Sequence, residues 1–330
     1  MPAGPGSISC AAPAARRSRQ RRHLLAREYA LACASLMTSS REKLGITLGF
    51  LGVCLFAGTL PGTRLAVAYL DPFFLTAVRW CIAGLAGLIV LLVMRCRVPP
   101  RAMWGPLAIT AFCTIVAFPI LMALAMANVP AAHGGVVLGI LPLATVAAAT
   151  VVTHERPSIG FWLASVAGAA IVIFFVATHS DAGTVSIGDL YLLGTVISGG
   201  FGYSLSGRLS MTMRGWEVIS WQVAAFLPVA LIVTILLWPS PFPAVPWQGW
   251  AGLAYVSLVS QYGAFFVFNA GMAMGGVARV GQLTLLQPFI IVALAAPVNG
   301  EPIQVTTLAY AAAVVGTVII GQRMRVTRRI

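Results

Sequence analysis

From Leu44 almost to its C-terminus, the chain consists of long apolar segments separated by short polar ones. Each segment is near the ~20 residues that an α-helix, rising 1.5 Å per residue, needs to cross a ~30 Å hydrocarbon core. Lipid offers no partner to a free backbone N–H or C=O, and the segments do not alternate as barrel strands do. The sequence therefore predicts an all-α integral membrane protein with ten transmembrane helices. The ten segments are 44–62, 72–94, 103–126, 130–152, 158–178, 187–206, 217–238, 248–270, 277–298 and 303–322.

Composition excludes the common soluble classes. The chain is 59% hydrophobic and 9% charged, with a mean hydropathy of +0.92, whereas about a quarter of the residues of soluble domains are charged. The net charge of +13 reflects topology, because 19 of the 21 Lys and Arg residues fall on one side if the N-terminus is inside. Short cytoplasmic loops retain cations. We therefore expect a multi-pass plasma (cytoplasmic) membrane protein with both termini cytoplasmic and no nucleic-acid partner.

The two ends of the chain are basic. Residues 1–43 carry a run of arginines and read as a cytoplasmic tail, and residues 323–330 form a second one. Two interpretations of residues 1–36 stay open. They are a tail that touches anionic lipid, or an extension upstream of a gene start at Met37.

The apolar region contains an internal repeat. A shift of 146 residues aligns PLATVAAATVVTHE (142–155) with PFIIVALAAPVNGE (288–301), with ten identities over positions 123–155. The alignment predicts a first five-helix repeat at 44–178 and a second at 187–322. Since five is odd, the second copy enters the membrane from the opposite face. Two inverted repeats (5+5) are typical of secondary transporters that bind substrate near the midplane.

Several features together resemble the drug/metabolite transporter superfamily, EamA type. They are the five-plus-five division, Arg79 within TAVRW, a Pro in segments four and nine followed thirteen residues later by Glu, and the GDLYLL opening of segment six. The resemblance spans about 44–322. It implies a secondary-active carrier that works by alternating access, often on amino acids. We expect export of an amino acid or similar small metabolite; an uptake carrier and an exporter of drugs or other metabolites stay open.

Arg79 is the clearest charge inside a segment. It lies seven residues past Pro72, roughly 10 Å along a helix. Ionisable residues inside a membrane are expensive and often functional. One interpretation is an anion-binding group in the translocation cavity. The other is a snorkelling anchor, or an arginine neutralised by carbonyls of neighbouring helices.

His133 and Arg279 occupy equivalent repeat positions near the starts of segments four and nine. Their placement predicts either paired gates near opposite membrane faces or two interfacial residues. His133 would titrate near neutrality and could relay a proton.

Other polar residues inside segments serve either as helix-to-helix hydrogen-bond partners or as cavity lining. These candidates are Tyr203, Trp221, Gln222, Gln261, Tyr262, Asn269, Gln282 and Gln287. Pro142 and Pro288 should bend segments four and nine, for packing or as hinges. Glu155 and Glu301, at the ends of these segments, are expected to be structural caps or locks between helices.

The sequence gives little support for a function other than transport. No Asp or Glu lies deep in a segment, so a buried carboxylate relay is not expected. His154 and Glu155 begin an H-E-x-x-H pattern, but position 158 is Ser. The six cysteines contain no C-x-x-C. We expect no enzyme, metal or cofactor. The expected partners are a small-molecule substrate and the lipid bilayer, and a homodimer stays open because G-x-x-x-G pairs permit contact between protomers.

Overall fold

The computed structural model describes residues 43–152, 156–179, 186–209, 212–275, 283–323 and 326–327. Within these ranges the chain is almost entirely helical, as the sequence predicts. The N-terminal 42 residues and three of the candidates, Glu155, Arg279 and Gln282, lie outside the described residues.

The helices follow one another with short connections. In the first half they are α1 (Lys43–Val67), α2 (Pro72–Val93), α3 (Arg101–Asn128), α4a (Ala131–Leu138), α4b (Leu141–Val152) and α5 (Ile159–His179). In the second half they are α6 (Ile187–Leu209), α7 (Gly215–Leu236), α8 (247–275), α9 (Thr284–Asn299) and α10 (Val305–Arg323).

Five helices of the described residues are long and apolar enough to cross a membrane: α1, α2, α3, α7 and α8. The pair α4a and α4b, bent by 42°, would make a sixth. Shorter apolar stretches lie in α5, α9 and α10. The multi-pass membrane protein is thus confirmed, whereas ten spans in an inverted arrangement stay a prediction.

The first residues of α2 show how the chain ends one helix and begins the next. Asp71 is the N-cap, and its carboxylate accepts hydrogen bonds from Phe73 N (2.9 Å) and Phe74 N (3.0 Å). Pro72 occupies the first helical position, where its missing N–H costs nothing. These contacts satisfy backbone donors that a helix leaves free at its N-terminus.

Irregular helix geometry recurs at matching places in the two halves. A π-helix covers Phe112–Ala117 in α3, and another covers Tyr255–Gly263 in α8. The break between α4a and α4b precedes Pro142, and a 3₁₀ turn at the start of α9 precedes Pro288. The 146-residue shift superimposes both features.

Helix packing pairs the two halves. α2 packs along α7, α5 along α10, and α4a against α9, while α1 packs on α8, and α3 and α4b pack on α6. The backbones of α1 and α8 approach closely, because a Cβ at Gly252 would lie 2.7 Å from the carbonyl oxygen of Gly62. The larger core gathers Met126, Phe175 and Ile291, from helices of both halves.

One short β-pairing departs from the all-α expectation. β1 (Arg156–Pro157) and β2 (Val326–Thr327) are antiparallel, with Arg156 opposite Thr327. The pairing ties the connection between α4b and α5 to the residues after α10.

Candidate functional site

A cavity lies in the middle of the bundle, between helices of both halves. About 520 Å³ of space not occupied by atoms lies among its lining residues, part of it open to the outside. Arg79 is the charged member of its described lining. The lining residues are Phe56, Thr59, Leu60, Arg79, Thr114, Phe118, Met122, Leu138, Leu141, Gly199, Tyr203, Ser260, Gln261, Phe265 and Gln287.

The Arg79 guanidinium faces this cavity without an acidic partner among the described residues. The residue is 2% exposed, and its Nε has no hydrogen-bond acceptor. None of the ion pairs in the described part of the chain includes it. The adjacent Trp80 fixes the rotation of α2, since its indole N–H donates to the Ile115 carbonyl in the π-helix of α3. Helix α2 thus holds a buried, uncompensated cation at the cavity wall, which is costly unless an anion joins it.

Helices α1 and α8 supply one polar and aromatic side of the cavity. The hydroxyl oxygens of Thr59 and Ser260 lie 2.6 Å apart, and the Thr59 hydroxyl donates to the Phe56 carbonyl. The rings of Phe56 and Phe265 meet edge to face, with centroids 4.9 Å apart. Gln261 follows Ser260 within the π-helix of α8.

Helices α3 and α6 form a similar side. The rings of Phe118 and Tyr203 are tilted, with centroids 6.2 Å apart. Thr114 lies in the π-helix of α3 and donates its hydroxyl proton to the Thr110 carbonyl. Thr114 is 146 residues before Ser260, and the Phe118–Tyr203 pair matches Phe265 and Phe56 at a shift of 147 residues. The two walls are therefore built from repeat-related positions.

Four of the predicted pathway residues line this cavity: Arg79, Tyr203, Gln261 and Gln287. Five others lie elsewhere in the bundle, and Arg279 and Gln282 are outside the described residues. The structure thus brings together candidates from both predicted repeats.

The candidates on α7 and α8 that do not line the cavity make contacts between helices. Trp221 packs edge to face on Trp104 of α3, with centroids 6.0 Å apart. Gln222 is buried with its Nε2 unpartnered, and its Oε1 lies 3.4 Å from the Thr114 hydroxyl. The Tyr262 hydroxyl lies 2.8 Å from the Ser220 hydroxyl of α7.

Asn269 lies near one end of the α7–α8 contact. A Cβ at Gly215, the first residue of α7, would lie 2.7 Å from the Asn269 side-chain nitrogen. The contact is tight, and it places Asn269 against the start of α7, outside the cavity lining.

His133 lies at the end of the bundle where α4a and α6 begin. Its Nε2 is 2.7 Å from Oδ1 of Asp189, and both side chains are buried. The other carboxylate oxygen of Asp189 accepts from Ser186 N and the Ser186 hydroxyl, while Ser186 Oγ accepts from Asp189 N. This reciprocal pattern is a capping box. The box turns the Asp189 carboxylate toward His133, and the side chain is buried.

Glu301 joins three helices at the same end of the bundle. Its carboxylate lies 3.2 Å from Arg64 Nε of α1 and accepts from the backbone N–H groups of Ala131 and Ala132 of α4a. Gly300 ends α9 in a left-handed conformation (φ 70°), which turns the chain and leads it to Glu301. A helix N-terminus favours an anion. The predicted lock role of Glu301 stays a prediction.

Sequence reasoning missed Thr59, Thr114 and Ser260 as lining residues. Threonine and serine are common in apolar helices, where they often bond to their own backbone. For Thr114 and Ser260 a signal was available, because the 146-residue shift places one on the other.

The site is suited to binding. Among the described residues no group of three or more His, Cys, Asp or Glu side chains is placed to hold a metal ion. A buried guanidinium, hydroxyls and amides around an aromatic-lined space can orient a small polar molecule.

The apolar helices, packed around a central cavity, define a multi-pass membrane protein. The chain belongs to the EamA-like transporter family, whose model matches it twice, at residues 43–177 and 186–321. The resemblance found in the sequence is thereby confirmed, as is the presence of two copies of the family domain.

Two comparisons with individual proteins agree with this assignment. The chain is 38% identical, over 275 residues, to the uncharacterized transporter YdeK of Bacillus subtilis (strain 168), covering 83% of this chain and 96% of that protein. A crystal structure at 20% identity matches with a TM-score of 0.58 over 84% of this chain and 98% of its own, which shows a shared fold. Family and relative point to a transporter rather than an enzyme.

Proposed function

We propose that this protein is a secondary-active transporter that exports an amino acid or a similar small metabolite by alternating access. The observation that carries the proposal is the buried Arg79, whose Nε has no partner and which faces a cavity lined by both halves of the chain. A carboxylate on the substrate would supply the missing charge.

The packing pattern supports an exchange-symmetric arrangement of the two repeats. Each helix of one repeat can be exchanged for its counterpart in the other repeat, five helices away in the chain. This exchange leaves the contacts α2–α7, α5–α10 and α4a–α9 unchanged and turns the α1–α8 contact into the α6–α3 contact. The matching π-helices and the breaks that precede Pro142 and Pro288 follow the same exchange. With five spans in each copy, the copies run in opposite directions. Such a pair has two states of similar energy, which open to opposite faces.

The irregular helices supply the movable parts. Mid-helix π-geometry often marks functional sites, and both π-helices carry lining hydroxyls, Thr114 and Ser260. Pro142 and Pro288 have no backbone N–H, so a helical hydrogen bond is already missing at each helix break. The turns next to the breaks can therefore rotate without losing that bond. We propose that these elements move between the two states.

The proposed location and topology follow from charge. The cation bias supports a cytoplasmic (plasma) membrane with both termini inside. Export is the direction we propose. An uptake carrier, or an exporter of drugs or other metabolites, would use the same cavity and differ in the sidedness of transport or in the substrate.

Counterflow in proteoliposomes tests the proposal. Vesicles preloaded with an unlabelled mixture of amino acids and 2-hydroxy acids should take up the same compounds, labelled and added outside, transiently above equilibrium. Arg79→Gln should abolish this overshoot, whereas Arg101→Gln, the same change at an exposed position of α3, should keep it. A channel would give uptake without stimulation by the internal pool, and an enzyme would give chemically altered label; either result would overturn the proposal.

A further inference from the structure

We infer that the cavity binds an organic anion with one carboxylate and an apolar body, and that it binds this anion more tightly than the zwitterion carrying an added ammonium group. The inference rests on the proposed function and narrows its substrate class, from amino acids and similar metabolites to monocarboxylates without an ammonium group. It follows from the charges and partners of the described residues around Arg79.

The first step concerns the carboxylates available to hold an ammonium group. Each acid of the described residues is engaged at a helix end, away from the cavity lining: Asp71 caps α2, Asp189 pairs with His133, Glu217 lies 3.9 Å from Arg214, and Glu301 pairs with Arg64. The remaining acids of the sequence lie outside the described residues, at positions 28, 42, 155 and 181, in the tail and in connections between segments. The described lining therefore carries a cation and no anion.

The second step concerns the neutral polar groups. Thr59 already donates to the Phe56 carbonyl and contacts Ser260 at 2.6 Å, and Thr114 donates to the Thr110 carbonyl. Their oxygens, and those of the glutamine amides, can accept hydrogen bonds. A neutral acceptor does not cancel the repulsion between an ammonium and a guanidinium that share one cavity of low dielectric.

The third step compares net charge in the occupied cavity. A monoanion beside Arg79 gives a neutral pair, whereas a zwitterion leaves a net charge of +1, an amine leaves +2 and a dianion leaves −1. Uncompensated charge removed from water is strongly unfavourable. The body of the ligand meets mostly apolar side chains, among them Phe56, Phe118, Met122 and Phe265. The preferred ligand is therefore a monocarboxylate with an aromatic or aliphatic body.

Four probes with one common body test the inference: L-phenyllactate (anion), L-phenylalanine (zwitterion), 2-phenylethylamine (cation) and phenylsuccinate (dianion). Phenyllactate and phenylalanine differ only in a hydroxyl group in place of the ammonium. Titration calorimetry of the purified full-length protein in detergent, at neutral pH, should show phenyllactate binding about tenfold or more tighter than phenylalanine. Binding of the amine should be weaker still, and the dianion should also bind more weakly than phenyllactate.

The arginine variants separate this effect from partition into detergent. Arg79→Gln should weaken phenyllactate binding at least tenfold, and Arg101→Gln should leave it unchanged. Phenylalanine binding as tightly as phenyllactate, or tighter, would overturn the inference. No phenyllactate binding by the unmodified protein would also overturn it.

Counterflow separates this inference from the proposed function. Trans-stimulated exchange of phenylalanine together with tighter phenylalanine binding would leave the transporter standing and remove the monoanion preference. Tight phenyllactate binding without trans-stimulated exchange of any probe would support the cavity assignment and remove the alternating-access function.

Discussion

Two regions of this protein hold charged groups that are buried or partly buried, and they differ in how those groups are partnered. At the end where α4a and α6 begin, Glu301 binds Arg64 and two backbone amides, and His133 contacts Asp189 at 2.7 Å. In the central cavity the Nε of Arg79 has no partner. Removing one member of an ion pair inside the protein destabilises the fold, because the other charge is left without a partner. A lone buried charge lowers the free energy of unfolding until a ligand binds beside it. The comparison assigns fold stability to the first region and ligand binding to the second.

Replacing Arg79 in the cavity should give the largest difference between the effect on transport and the effect on stability. Arg79→Gln should lower transport by about 100-fold or more, because a desolvated charge partner is typically worth several kcal/mol to a bound anion. Its melting temperature should stay the same or rise, since the variant buries no unpaired charge. Arg79→Lys, which keeps the charge but loses the planar fork, should retain part of the activity. Sided transport assays and thermal unfolding in detergent measure both. A loss of melting temperature in Arg79→Gln would contradict the division of roles.

The next largest effect is expected at the partnered end, with the opposite pattern. Glu301→Gln removes the charge that holds Arg64 and the N-terminus of α4a, so unfolding should become easier by about 1–3 kcal/mol. Transport by the protein that remains folded should change less than in Arg79→Gln. Glu217→Gln is the matched control, because its 3.9 Å contact with the exposed Arg214 should contribute little. Equal melting temperatures for the Glu301 and Glu217 variants would show that the Glu301 contacts do not stabilise the bundle.

A smaller loss of stability is expected at the contact between His133 and Asp189. Asp189→Asn keeps an acceptor for His133 or for Ser186 but removes the charge, so we expect a loss of about 1 kcal/mol. Asp189→Ala should cost more, because it also removes the side-chain half of the capping box. Thermal unfolding of the two variants side by side measures the difference. An alanine variant as stable as the asparagine variant would show that the side-chain hydrogen bonds contribute nothing.

Much of the fold could be predicted because its determinants are local. Segment length and apolar composition located the helices, and the positions of Pro142 and Pro288 matched the breaks that precede them. The alignment of 142–155 with 288–301 revealed the duplication from a few register-locked residues. The π-helices were not predicted. No local sequence pattern separates these π-helices from the regular helix on either side.

The cavity was only partly predictable, for a geometric reason. Polar positions within an apolar helix cannot be ranked by polarity alone: Gln261 lines the cavity, whereas the adjacent Tyr262 bonds to Ser220 of α7. Neighbouring residues point about 100° apart around a helix. The rotation of each helix is set by tertiary contacts such as the one between Trp80 and Ile115, which the sequence of a single segment does not contain.

The weakest expected effect tests the similarity of the two cavity walls. Thr114 and Ser260 are repeat-related, line the same cavity and lie in the two π-helices. If the repeats exchange conformations during transport, each hydroxyl meets the substrate mainly in one of the two states. Thr114→Val and Ser260→Ala should then each raise the KM a few-fold, but on opposite faces of the membrane, because one hydrogen bond is worth about 1 kcal/mol. Thr110→Val is the control, since Thr110 is buried outside the lining and donates to Pro106 O. Sided counterflow measures the KM on each face, and a rise on the same face for both variants would contradict conformational exchange between the repeats.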